Sequence, residues 1–293
     1  MPWFYYTIYI IALSYINGAC AIYQGTSSNC GEHPYTVHIE HHGAEGVYGA
    51  SYQCGGTIIT PRHILTAAHC MKQHASSYPG IKADAQNMRV QLLKCSNGQL
   101  VKTGKLYEAA QLHITEEYLT QPTPDFDIGV IELTEDIKYH PFLADTATVP
   151  AYAGPVQPNW EHDTRLTLVG AGTFGLSQTH ISEYLRQVRA DVIPRPECEQ
   201  RRDSSSGFPG SFVGLDIARF FCAVDRVTLG AACGGDSGSG SLEYVNGRKK
   251  LVGVVSAGDV ICSQPNHFNA YTSVSWYLDW IGAVVAPYQL KQI

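Results

Sequence analysis

Short runs of β-branched or alternating apolar residues recur along the chain, each bounded by turn-forming residues. Tyr35-Thr36-Val37-His38-Ile39, Thr57-Ile58-Ile59, His63-Ile64-Leu65-Thr66 and Ile128-Gly129-Val130-Ile131 are four of them, and Arg165 to Val169 and Leu251 to Val255 two more. Strands this short, with turns between them, predict an antiparallel sandwich or barrel rather than βαβ units. Residues 71–124 contain long polar loops, and 202–214, rich in Ser, Gly and Pro, read as an exposed loop. Pro141 to Asp163 holds four prolines and little periodicity, which suits a linker between two halves. The one convincing helix is terminal. Val274, Tyr277, Leu278, Ile281 and Val285 recur near helical spacing, with Ser273 as the expected cap.

The first 21 residues stand apart. Trp3 to Ile16 is almost wholly apolar and Ala19-Cys20-Ala21 follows, which reads as a secretory signal cut after Ala21. The run is short for a membrane span, although the segment lacks the usual Lys or Arg near its start. The expected protein is secreted and extracellular, with no membrane attachment once the signal is gone. A charged fraction of 16%, with 28 glycines and 18 tyrosines, fits a loop-rich β protein. A net charge of −6 without any Lys/Arg block gives no footprint for nucleic acid or an anionic membrane. Signal removal takes Cys20 and leaves Cys30, Cys54, Cys70, Cys95, Cys198, Cys222, Cys233 and Cys262, an even set that implies disulfides outside the cytosol. No Cys-x-x-Cys pair is present, so no zinc site is expected, and no Asn-x-Ser/Thr acceptor occurs.

Three stretches carry candidate chemistry. In Ala232-Cys233-Gly234-Gly235-Asp236-Ser237-Gly238-Ser239, glycines beside a serine let the backbone bend and aim N–H groups at a reacting oxygen, although a glycine-rich turn reads the same way. In Thr66-Ala67-Ala68-His69-Cys70 small neighbours leave room for an imidazole, the usual base for a serine hydroxyl. In Asp125-Phe126-Asp127-Ile128 an acid precedes an apolar run, where it either finds a buried partner or remains at the surface. Asp125 reads as a solvated neighbour, and His38, His41 and His42 as surface histidines rather than a metal site.

With these stretches the chain resembles the trypsin/chymotrypsin family of serine proteases, whose triad runs His, Asp, Ser in chain order. The likeness extends from Ile22 to the terminal helix through Ile22-Tyr23-Gln24-Gly25, Cys54-Gly55-Gly56-Thr57, Thr66 to Cys70, Asp127-Ile128, Gly170-Ala171-Gly172, Gly235 to Gly238 and Ala270-Tyr271-Thr272. It implies an all-β fold of two packed antiparallel six-stranded barrels with a C-terminal helix. Residues 22–150 would form the barrel carrying His69 and Asp127, and 151–293 the barrel carrying Ser237 and the helix. Ser237 is implied as nucleophile, His69 as base and Asp127 as its orienting carboxylate, with the N–H groups of Gly235 and Ser237 as oxyanion hole. Ser256 would support Asp127 and begin a substrate strand through Ala257 and Gly258, with Ala231 at the pocket base and Asn269 on its wall. Ile22, once freed, would place its ammonium on Asp236. The family pairing joins Cys54 to Cys70, Cys198 to Cys222 and Cys233 to Cys262, and leaves Cys30 with Cys95.

The departures concern specificity. Relatives that cleave after Lys or Arg have an aspartate six residues before the serine, where this chain has Ala231. A cationic side chain there would lack a counter-charge, so an uncharged, small to medium residue such as Leu, Met, Ala or Tyr is expected before the scissile bond. Asp259 sits at the rim, poorly placed to serve the base. Ala171 and Ala257 replace common tryptophans, Ser239-Gly240 the usual Gly-Pro, and Gln24 a customary glycine. Met88 to Lys94 offers no carboxylate for calcium. No cofactor or metal is expected. The expected partners of this monomer are protein or peptide substrates and protein protease inhibitors. The alternative is an inactive homologue that serves as a binding or regulatory module.

Overall fold

The computed structural model describes residues 22–41, 52–71, 85–102, 105–138, 148–149, 164–174, 180–182, 184–204, 216, 218–258 and 268–292. The apolar leader, His42, Asp259, Cys262 and the proline-rich stretch apart from 148–149 lie outside them.

Two antiparallel six-stranded rings form the molecule. In the first, Thr36–His41 pairs with Tyr52–Thr60, followed round the ring by His63–Thr66, Gly129–Leu133, Leu106–Ile114 and Met88–Leu92, which closes onto Thr36–His41. In the second, Arg165–Gly170, Arg186–Val192, Phe220–Val224, Asn269–Ser273, Arg248–Gly258 and Gly240–Val245 follow one another, and the last closes onto the first. Closure satisfies the strand edges within each ring. Val37, Ile39, Ile58, Ile64, Met88, Val90 and Val130 are buried in the first core. Leu166, Leu168, Val188, Phe221, Val252 and Tyr271 are buried in the second, which also takes Ile22.

The chain ends cross between the rings. Thr26–Ser27 pairs with Arg186–Gln187 of the second ring. The helix Leu278–Val285 sends Leu278, Ile281 and Val285 back into the apolar cluster of the first. Disulfides join Cys30 to Cys95, Cys54 to Cys70 and Cys198 to Cys222, with Cα separations of 5.4, 6.2 and 5.7 Å. Cys233 is also disulfide-bonded. No helix among the described residues is long and apolar enough to cross a membrane.

Several local expectations need correction. Beside its loops, the stretch 71–124 supplies two barrel strands that the strand runs had not marked, and the helix Glu116–Thr120. Met88, Val90 and Leu92 are buried while Arg89 and Gln91 between them are partly exposed, a period-two pattern masked by polar residues. Arg195–Ser204 is helical, so the exposed loop begins later than 202. Ser273 ends a strand, and the terminal helix begins after Tyr277, because Asn269–Ser273 is held between two neighbouring strands. His38 and His41 are each only 3% exposed, since the ring closes around Thr36–His41 from both sides. Asp125 is 5% exposed, not solvated; its carboxylate accepts from the Thr123 hydroxyl and from the Asp216 N–H at 3.3 Å.

Candidate active site

His69 sits on the one-turn helix Ala68–Cys70, directly after the strand His63–Thr66. Its imidazole is held by Asp127. The His69 N–H donates to Asp127 Oδ1 at 2.8 Å and the ring Nδ1 lies 2.7 Å from Asp127 Oδ2. Asp127 itself ends the turn Pro124–Phe126, just before the strand Gly129–Leu133 that pairs with the His69-bearing strand. The two rings meet on this carboxylate, because the Ser256 hydroxyl of the second donates to Asp127 Oδ2 at 2.6 Å. The Thr272 hydroxyl donates to the Asp127 carbonyl at 2.9 Å and fixes the backbone as well. Burial pushes the His69 pKa down, but the Asp127 charge and its hydrogen bond outweigh this and hold it above the ordinary value. The side chain remains 20% exposed, so one ring nitrogen is pinned while the imidazole still reaches the surface.

Ser237 is attached to the same seam by its backbone. Its carbonyl accepts from the Gly55 N–H at 2.7 Å, and the adjacent Cys54 is bonded to Cys70, the neighbour of His69. His69 Nε2 lies 3.8 Å from the Cys70 sulfur. Gly238 has φ +79°, and a Cβ there would fall 2.2 Å from Thr66 Oγ1, so close approach to the histidine strand demands glycine. At Gly55 a Cβ would fall 1.9 Å from Ser239 Oγ. Around the serine the N–H of Asp236 donates to Cys233, that of Ser239 to Asp236, and that of Gly238 to Val255. Among the described residues the N–H groups of Gly235 and Ser237 have no acceptor. Two amides without acceptors, flanking an accessible hydroxyl, are chemically suited to an oxyanion.

Asp236 turns away from this surface and is fully buried. Its carboxylate accepts from the backbone nitrogens of Ile22 at 3.2 Å, Cys233 at 2.9 Å and Gly172 at 2.8 Å. Burial pushes its pKa up to about 6, against the pull of those donors and of the Lys102 ammonium. Ile22 is buried beside it at φ +47°.

Beyond Ser237, the strand Arg248–Gly258 carries Ser256, Ala257 and Gly258 past the serine turn, to which it is joined by Val255. Asn269 pairs with Gly258 from the adjacent strand and hydrogen-bonds to Ala232 of the preceding loop, while Ala231 next to it bridges to Tyr23. Asp259 and Cys262 fall outside the described residues. Three further contributors lie inside quoted stretches that assigned them no role: Thr272, Thr66, whose hydroxyl donates to the Gly55 carbonyl at 2.9 Å, and Gly172. Cys54, His69 and Cys70 cluster as a metal site would, but both sulfurs are consumed in one disulfide.

A family model described as Trypsin matches residues 22–281. Trypsin Tyr p 3.0101 of Tyrophagus putrescentiae is 32% identical over 261 residues, covering 88% of this chain and 78% of that protein. Trypsin Blo t 3 of Blomia tropicalis is 28% identical over 269 residues, or 91% of this chain and 86% of its own. The clotting factor G beta subunit of Tachypleus tridentatus is 28% identical over 247 residues, with shares of 83% and 74%.

Proposed function

The chain belongs to the trypsin family of serine proteases, and on that premise we propose that it is a secreted endopeptidase working through Ser237, His69 and Asp127. Ser237 Oγ attacks the scissile carbonyl while His69 Nε2 takes its proton, and Asp127 stabilises the imidazolium. The oxyanion forms on the N–H groups of Gly235 and Ser237. His69 returns the proton to the departing amine, leaving an acyl-enzyme. Water, deprotonated by His69, attacks the acyl carbonyl and releases the acid and the free serine. The observation that carries this reading is the carboxylate of Asp127, bound at once by His69 and by Ser256 of the opposite barrel. Hydrolysis of a mixed peptide library tests it: Ser237→Ala is expected to abolish turnover and wild type to cut internal bonds. A folded wild type that cuts nothing would make the chain a binding homologue.

Activation fits the same frame. The buried Asp236 carboxylate accepts from neutral amides and forms no ion pair among the described residues. A buried charge in that state is costly. Release of residues 1–21 turns the Ile22 nitrogen into an ammonium beside it. The cut also ends the positive φ of a β-branched residue, a strain of about 1–2 kcal/mol. N-terminal sequencing of the secreted protein is expected to read Ile22-Tyr23-Gln24-Gly25, and any other start contradicts this route. Ala231 gives a cationic substrate side chain no counter-charge, which supports cleavage after uncharged residues.

A further inference from the structure

The carboxylate that holds His69 ends a short turn, Pro124–Phe126, and the second ring grips that turn. The Thr272 hydroxyl donates to the carbonyls of Pro124 at 3.2 Å and Asp127 at 2.9 Å, and the Tyr277 hydroxyl donates to the Asp125 carbonyl. These bonds hold its backbone. The side chains just before Asp127 meet a different segment. The Asp216 N–H donates to the Asp125 carboxylate at 3.3 Å. The Arg219 guanidinium carbon stands 4.6 Å from the centre of the Phe126 ring and 5.2 Å from that of Trp276. A cation over an aromatic face is attracted by the ring quadrupole, more strongly where water is excluded, and the Arg219 side chain is only 26% exposed.

Arg219 is itself fixed. Its Nε donates to Asp216 Oδ2 at 3.2 Å and its N–H to the Asp216 carbonyl at 2.9 Å, while its carbonyl accepts from the Ser273 N–H at 2.8 Å. The guanidinium is thus carried at the head of the second-ring strand Phe220–Val224 and reaches the turn that bears the catalytic acid. We propose that Arg219 is a positioning residue for Asp127: braced by Asp216 and Trp276, it clamps Phe126 and so sets where the next residue's carboxylate meets His69. The inference rests on the endopeptidase reading above and adds to it a residue from a distant part of the chain. Without the guanidinium the Phe126 ring loses this partner, while the backbone bonds from Thr272 and Tyr277 remain. The turn stays folded, but its end is loose. Burial lowers the His69 pKa and the Asp127 carboxylate more than restores it, so a carboxylate that drifts lets the value fall. An arginine that served stability alone would leave it unmoved.

The test follows the His69 ring by NMR through a pH titration, assigned by difference from His69→Ala, together with kcat per fluorophosphonate-labelled site. Arg219→Gln is expected to lower the His69 midpoint by about 0.5–1 pH unit, part of what a close opposite charge supplies. It should also lower kcat about 10-fold, where a displacement of about 1 Å can cost about 100-fold, with KM changed less than about twofold. Phe126→Leu, which keeps Arg219 and Asp216, is expected to do the same. The two together should add little to either, because both break one contact. A folded variant with the His69 midpoint and kcat of wild type overturns the inference, whatever its urea midpoint, as does full additivity in the double variant. If Arg219→Gln does not fold, Phe126→Leu decides, and loss of folding in both shows a structural role and overturns it too. The titration needs no turnover. A folded wild type whose Ser237 does not label rejects the endopeptidase reading, while the His69 midpoints still judge whether Arg219 places Asp127.

Discussion

At Gln24 the backbone has φ +57°, in the left-handed region that glycine tolerates and a side chain does not. The side chain is exposed and only the backbone demands anything here. Gln24→Gly is therefore expected to stabilise the protein by about 0.5–1 kcal/mol, the conformational relief less the added chain entropy, read as a higher urea midpoint. At Asp127 the requirement is charge. Asp127→Asn leaves space and volume alone but favours the wrong imidazole tautomer, so kcat should drop about 10⁴-fold. The His69 pKa is raised by that same carboxylate. The proposed base is neutral only above this value, so kcat/KM should fall as pH drops through a midpoint above 6.5. A midpoint below 6.5 in the pH–rate profile would contradict the assignment.

Between strands, the decisive contact is the serine turn against Gly55. A Cβ there would overlap Ser239 Oγ on a backbone already bonded to the Ser237 carbonyl. Gly55→Ala should cost about 2 kcal/mol or more in chemical denaturation and suppress turnover by moving the serine. The loops that hold these groups were legible because their composition is unusual: Ala-Ala-His-Cys and Gly-Gly-Asp-Ser-Gly leave few structural options. Met88–Leu92 and Leu106–Ile114 were harder to see, since each has a partly solvated face and polar residues dilute its period. Ser273 misled for a different reason: a capping residue has no effect while strand pairing on both sides holds its backbone extended.

Across the whole molecule, buried histidines couple the fold to pH. His33 is fully buried, with Nε2 2.8 Å from Gln187 Oε1 and Nδ1 3.2 Å from the Tyr35 hydroxyl. Burial, helped by Lys249, pushes its pKa down to about 4, while Gln187 and Glu32 oppose this. Burial, with Lys102, takes His38 down to about 3. Both folded values lie below the unfolded one, so their stability is complete above about pH 6.5 and lost as pH falls, toward 4 for His33 and toward 3 for His38. For His33 the loss is on the order of 3 kcal/mol. Denaturation midpoints should decline across that window, and a flat response from pH 7 to 4 would exclude it. Sequence alone hid this, because a histidine in an alternating run looks the same on either face, and only ring closure decides which is buried. It also gave no sign that Asn269 touches both Ala232 and Gly258, which are distant from each other in the chain. The most direct test of the catalytic assignment is the intact mass of the secreted protein after fluorophosphonate treatment. One adduct per molecule, mapped to Ser237 and absent in Ser237→Ala, is the predicted result. Folded protein that gains no mass, or carries the adduct on another residue, would contradict it.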